Sequence, residues 1–151
     1  TALNSTNRNP DDLCLVMGHL PLTAFSEGRA RPGECIADPW GLADLLRRSR
    51  VDLVISGHHH AWYPSESMGL RLLSLGAMGS GPRRIIGSGV TAPPSLTILE
   101  WSQNNNLVEE ISFDLNTLQP LPNDRLPWSL NVPGFAQARR RATQWQRGPL
   151  N

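Results

Sequence analysis

The 151-residue chain carries 14 basic and 13 acidic residues, and a net charge of +1 gives it no electrostatic attraction to nucleic acid or membranes. All 14 basic residues are arginine, so the missing lysine excludes Walker-type phosphate loops, lysine Schiff bases and metal sites bridged by a carbamylated lysine. No apolar run is long enough to span a membrane and no signal peptide is visible, which favours a soluble, cytoplasmic protein without nucleic-acid or membrane partners.

A strand–helix–strand unit is predicted over residues 13–55. The apolar run 13–17 is typical of a strand covered on both faces, and 51–55 predicts a second one. Between them, Asp38 and Pro39 indicate a helix start, with Asp as N-cap and Pro at the first helical position. Because a helical crossover makes the two strands parallel, their carboxyl ends should lie at the same edge of one sheet.

The remaining elements are predicted from apolar runs and turn residues. A strand is expected over 70–75, and the runs 95–101 and 107–115 should pair as an antiparallel hairpin. From residue 116 onward, four prolines argue against regular structure until a short helix, from about Phe135 to Gln146.

All four histidines directly follow the two predicted parallel strands. His19 follows the first, and His58, His59 and His60 follow the second. Extended backbone would point His58 and His60 to one side and His59 to the other, so we expect His59 to face solvent or to support the ligands. Three imidazoles at one sheet edge leave a coordination sphere open, as catalytic metal sites require, and His19, His58 and His60 are therefore the predicted metal ligands.

The two histidine strings resemble a known family. Gly57-His58-His59-His60 fits the G-H-x-H signature of calcineurin-like metallophosphoesterases, and the string VMGHLP at 16–21 resembles the lone-histidine segment that precedes it there. Purple acid phosphatases and many bacterial phosphodiesterases share this pattern. The resemblance covers roughly residues 13–101.

This resemblance implies an α/β fold, namely the C-terminal part of a four-layer α/β sandwich in which a parallel βαβ unit is followed by an antiparallel hairpin. It implies two metal ions (Mn, Fe or Zn), with His19 and His58 on one and His60 on the other, and a phosphomonoester or phosphodiester as substrate. Residues 1–115 would form the C-terminal portion of the domain and 116–151 a Pro-rich extension with the short helix.

The family's motifs D-x-H, G-D-x-x-D and G-N-H-[DE] occur nowhere in the chain. They would supply the remaining ligands and the histidine that assists the leaving group, so no catalytic residue beyond the metal ligands is assigned here. We expect them in an N-terminal segment of the same domain, without which the chain should be inactive, marginally folded or self-associating, and a weak metal binder. The alternative is a non-catalytic metal-binding or interaction module.

Several weaker signals leave alternatives open. A metallo-β-lactamase motif would need an aspartate and a histidine where Trp62 and Tyr63 stand, and these aromatic residues could equally line a pocket or be buried. The loop with Arg29 and Arg31 could bind phosphate, although a solvated loop is favoured. Arginines 139–141 are expected on a solvated helix face, and Cys14 is expected to be a buried, unreactive thiol.

Overall fold

The computed structural model describes residue 9 and residues 12–79, 81–102 and 107–142. Two short 3-10 turns cover Glu27–Arg29 and Asn123–Arg125. Within the described ranges, the longer elements in chain order are β1 (Leu15–Gly18), α1 (Pro39–Arg48), β2 (Leu53–Ser56), β3 (Tyr63–Ser67), β4 (Leu70–Ser74), β5 (Ser95–Ser102), β6 (Leu107–Asp114), β7 (Ser129–Leu130) and β8 (Ala138–Arg140).

Six of these strands form one mixed sheet in the order β1-β2-β4-β3-β8-β7, and β5 pairs with β6 in a separate two-stranded sheet. β1, β2 and β4 are parallel neighbours, whereas β3 runs antiparallel to both β4 and β8. The predicted α/β class is therefore confirmed, with a parallel βαβ unit at one end of the sheet and an antiparallel hairpin later in the chain.

The crossover helix α1 begins where the sequence predicts it. The Asp38 carboxylate accepts the backbone N–H of Gly41 at 2.9 Å and so caps the first turn. Ala43 and Leu46 lie on the buried face of α1, in the same hydrophobic core as Leu53 of β2. Helix α1 runs back across the sheet and returns the chain to the amino end of β2. The carboxyl ends of β1 and β2 therefore lie together, at the end of the sheet where the histidines follow.

The first strand is present, but within the part of the chain that the structure describes it is not covered on both faces as predicted. Among these residues β1 pairs with β2 alone and lies at the side of the sheet, and Leu15 and Met17 are 37% and 72% exposed. Cys14, just before β1, is likewise only half-buried, with a free thiol. An apolar run indicates a strand but not how many neighbours the strand has. Of the two strands predicted to be covered on both faces, β2 has the expected burial and β1 does not.

The C-terminal region differs more from expectation. Residues 138–140 form β8 instead of a helix, and 143–146, the rest of the predicted helix, lie outside the described residues. β8 pairs with β3, and the Arg141 N–H donates to the Pro64 carbonyl at 3.0 Å. Bonds to a neighbouring strand outweigh a local helical pattern here. β7 and β8 extend the main sheet, and the division at residue 115 stays a prediction.

Arginines 140 and 141 are not on a solvated helix face. Arg140 donates to the carbonyls of Asn123 and Leu126, and Arg141 forms a buried ion pair with Glu110 of β6, with 2.7 Å between Nη2 and Oε2. This ion pair connects β6 of the hairpin to the residue that directly follows β8. No helix among the described residues is long and apolar enough to cross a membrane.

Candidate metal centre

His19 and His58 meet at the carboxyl edge of the parallel strands. Gly18, the last residue of β1, lies in register with Ser56, the last of β2. Each histidine follows shortly after, and the Gly57 N–H donates to the His19 carbonyl at 3.2 Å. As a result, Nε2 of His19 and Nδ1 of His58 lie 2.9 Å apart although the residues are 39 positions apart in sequence. The topology thus produces the juxtaposition that the sequence predicted for these two side chains.

The backbone of the histidine string is not extended, contrary to expectation. His58 and His60 have φ angles of 59° and 50°, in the left-handed region that non-glycine residues seldom adopt. Such conformations cost on the order of 1–2 kcal/mol each and persist where surrounding structure imposes them, often at functional sites. The chain therefore turns sharply after β2 instead of continuing as an extended strand. His60 Nδ1 donates to the Gly81 carbonyl at 2.9 Å.

His59 is fully buried, so the expectation that it faces solvent is wrong. Its Nδ1 accepts the backbone N–H groups of Phe25 and Ser26, at 3.0 and 3.2 Å, and its Nε2–H donates to the Glu34 carbonyl at 3.1 Å. Burial lowers the pKa of His59 to about 4, and the imidazole is therefore neutral near pH 7. The middle histidine supports the site by tying the string to the loop 25–35.

Replacing His59 by alanine is expected to lower the free energy of unfolding by about 3 kcal/mol, because it opens a cavity and leaves buried backbone groups unpaired. Urea denaturation of the variant measures the change. The exposed His19 is the matched control, and His19→Ala should cost less than about 1 kcal/mol. Equal losses in the two variants would contradict a supporting role for His59.

Sequence reasoning missed Glu34, whose carboxylate contacts His58. Glu34 Oε2 lies 2.5 Å from both His58 Nε2 and Arg29 Nη1, and Oε1 accepts two bonds from Arg31, at 2.9 and 3.1 Å. Hydrogen bonds from Arg29, and next from Arg31, hold the pKa of Glu34 at about 2, so the carboxylate is ionised. Both arginines of the loop therefore pair with Glu34, although Arg31 remains largely exposed. No spacing pattern in the sequence connects Glu34 with the histidines.

The aromatic residues after the histidine string are both buried. Tyr63 is fully enclosed and its hydroxyl donates to the Pro127 carbonyl at 2.8 Å. Trp62 is 2% exposed and lies against an apolar cavity of about 400 Å³ whose other walls include Ile85 and Leu126. The sequence left open whether these two residues line a pocket or are buried. Tyr63 is buried, and Trp62 is buried and also forms part of a cavity wall.

The hydrogen bonds assign a ligand-competent tautomer to two of the predicted ligands. His58 Nε2 lies 2.5 Å from Glu34 Oε2, which only accepts, and 2.9 Å from Arg29 Nη1, which only donates. Because the carboxylate contact is the shorter and Arg29 Nη1 itself donates to the same oxygen, a neutral His58 carries its proton on Nε2 and keeps a lone pair on Nδ1. The bond from His60 Nδ1 to Gly81 likewise leaves the lone pair on Nε2, to which no described residue hydrogen-bonds. These are the tautomers that metal-binding imidazoles adopt when their second nitrogen donates to a carboxylate or carbonyl.

As a set, the side chains are incomplete. Within 12–79, 81–102 and 107–142, no three His, Cys, Asp or Glu side chains form a group that could hold a metal ion. The structure brings His19 and His58 together, the His60 imidazole donates to the Gly81 carbonyl, and Glu34 is occupied by its ion pairs. Ligation by His19, His58 and His60 thus stays a prediction.

A parallel βαβ unit with histidines after both strands is the arrangement that the motif resemblance predicted. Residues 2–62 match the family model of the calcineurin-like phosphoesterases, and this match, which includes all four histidines, confirms the resemblance. No protein with a curated description matches the sequence.

A similar solved structure is GAP50, the anchor in the inner membrane complex of Plasmodium, with a TM-score of 0.57 and 17% sequence identity. The match covers 94% of this chain and 41% of the GAP50 chain, so the present chain spans less than half of that protein's length. At this identity the likeness concerns the fold alone, and it supports the sandwich architecture implied by the family resemblance.

Proposed function

We propose that the full-length protein containing this chain hydrolyses phosphomonoesters or phosphodiesters at a centre of two metal ions. His19 and His58 would bind one ion and His60 the other. The observation that carries the proposal is the His19–His58 pair, held 2.9 Å apart at the carboxyl ends of two parallel strands. The family match over the same residues supports it.

The residues of this chain would prepare the centre rather than transfer protons. When bound, metal ions of this kind activate water and stabilise negative charge on the phosphoryl oxygens. His58 and His60 each direct one nitrogen to a protein acceptor and so keep the other available. Imidazole accepts Mn, Fe and Zn without sharp discrimination, so the metal is left as any of these three.

Carboxylate ligands would complete the centre. Apart from Glu34, the described residues supply no acidic side chain in contact with the histidines. In the proposal, the missing ligands come from a segment of the full-length protein that precedes this chain, which would be its partner in forming the site.

The test is hydrolysis of p-nitrophenyl phosphate by the full-length protein before and after chelation. We expect turnover to disappear with EDTA, and to return when Mn²⁺, Fe²⁺ or Zn²⁺ is added to the dialysed protein. Turnover that survives complete removal of metal would overturn the proposal.

A second candidate is a module that binds metal or a protein partner without catalysis. It is favoured by the incomplete ligand set among the described residues and by the exposed edge strand β1, whose unpaired backbone can accept another strand. Stoichiometric metal binding by the full-length protein, with no hydrolysis of either ester class, would favour this candidate over the enzyme.

A further inference from the structure

The loop 25–35 carries one acidic side chain to the histidine pair. Glu34 is only 14% exposed, and its two carboxylate oxygens receive hydrogen bonds from three side chains, those of Arg29, Arg31 and His58. The other acidic residue of the loop, Glu27, is 47% exposed and lies 4.0 Å from Arg84. The two glutamates of one loop thus have very different surroundings.

Two consecutive histidines hold Glu34 at both ends. His59 donates to the backbone carbonyl of Glu34, and His58 contacts its carboxylate. His59 is also the acceptor for the N–H groups of Phe25 and Ser26 at the start of the same loop. The backbone of the loop is therefore tied to the histidine string at both of its ends, and the bonds from both arginines favour the position of the carboxylate against His58.

The contact decides which nitrogen of His58 can donate an electron pair. Arg29 Nη1 also lies 2.9 Å from His58 Nε2, but Glu34 Oε2 lies closer to both nitrogens and is the acceptor that they share. With its proton on Nε2, toward Glu34, a neutral His58 presents the lone pair of Nδ1 to Nε2 of His19. Without an acceptor at Nε2, the proton could move to Nδ1 and occupy the position facing His19. Neutral imidazole divides its population between the two tautomers unless a hydrogen bond selects one.

We infer that Glu34 is a positioning residue for the metal site: it selects the Nδ1 lone pair of His58 and orients it toward an ion shared with His19. Arg29 and Arg31 hold the carboxylate in place by filling its remaining acceptor positions. This inference rests on the proposed function, because it requires that His58 binds a metal ion. It predicts an effect on one of two ions and not on the other, since His60 is oriented by Gly81 instead.

The experiment is Mn²⁺ titration of the metal-free full-length protein by calorimetry, with electron paramagnetic resonance to distinguish paired from isolated ions. In Glu34→Ala, we expect the affinity for one ion to fall by about 10–100-fold while the other ion binds as before. The spectrum should then change from a coupled pair to an isolated ion at Mn²⁺ concentrations that fill both sites of the unmodified protein. His19→Ala should weaken the same ion.

Glu34→Gln provides a second variant, which keeps an oxygen to accept from His58 but turns an N–H group toward an arginine. The Mn²⁺ affinity of Glu34→Gln should lie between that of the unmodified protein and that of Glu34→Ala. Glu27→Gln, in the same loop, should change the affinity for neither ion. If Glu34→Ala does not fold, the test is Glu34→Gln against Glu27→Gln. Unchanged binding of both ions, or equal weakening of both, overturns the inference. Failure of the unmodified protein to bind metal would instead overturn the proposed function on which it rests.

Discussion

Replacing His60 by alanine in the full-length protein is expected to lower kcat/KM for p-nitrophenyl phosphate by on the order of 10³-fold, or about 4 kcal/mol of transition-state stabilisation. The physical reason is the loss of the nitrogen ligand proposed for the second ion, whose orientation is set by the Gly81 carbonyl. His58→Ala should have a similar effect through the other ion. Steady-state kinetics at saturating metal measure both.

The matched control is Arg48→Ala. Arg48 is the last residue of α1 and largely exposed, and α1 ends at the sheet edge opposite to the histidines. Its removal should leave kcat/KM within about 2-fold, as expected for surface substitutions. If His58→Ala and His60→Ala also leave turnover unchanged, the ligand assignment is wrong.

Replacing Arg141 by methionine should be strongly destabilising although it lies away from the histidines. Glu110 is 1% exposed, and the Arg141 guanidinium, 2.7 Å away, is the partner of its Oε2. Removing one member of a buried ion pair leaves an uncompensated charge, which typically costs about 3–5 kcal/mol. Urea denaturation of the full-length protein followed by circular dichroism measures the loss.

The second substitution that isolates this effect is Glu110→Leu in the Arg141→Met background. An apolar pair of similar volume removes the buried charge, and the double variant should recover most of the stability lost in the single one. The exposed pair of Asp44 and Arg47 on α1 is the matched control, for which Arg47→Met should cost less than about 1 kcal/mol. A double variant no more stable than Arg141→Met would contradict the proposed cause.

The sequence by itself determined the unit that positions the site. Apolar runs separated by a capped helix imply parallel strands, and parallel strands end at the same edge, so the approach of His19 to His58 followed from topology. The family resemblance followed from the same histidine strings and is confirmed over 2–62. Local patterns sufficed here because the apolar runs and the helix N-cap are properties of contiguous segments of the chain.

Other features depended on contacts between residues distant in sequence. The exposure of β1 reflects its place at the sheet edge, and β8 is a strand because β3 offers it hydrogen-bond partners. The position of β1 in the sheet and the pairing of β8 with β3 cannot be predicted from either segment alone. An apolar or helical period describes one face of an element and not what packs against it.

The residues that support the histidine site could likewise be identified only from the tertiary structure. His59 occupies a variable position of the motif, and its burial is accompanied by hydrogen bonds to the loop 25–35, which no pattern within the string predicts. Glu34 lies in a loop without periodicity, and only the folding of that loop onto His59 brings its carboxylate to His58. Sequence spacing determined which residues could reach the edge of the sheet, whereas tertiary hydrogen bonds decided how each imidazole is oriented there.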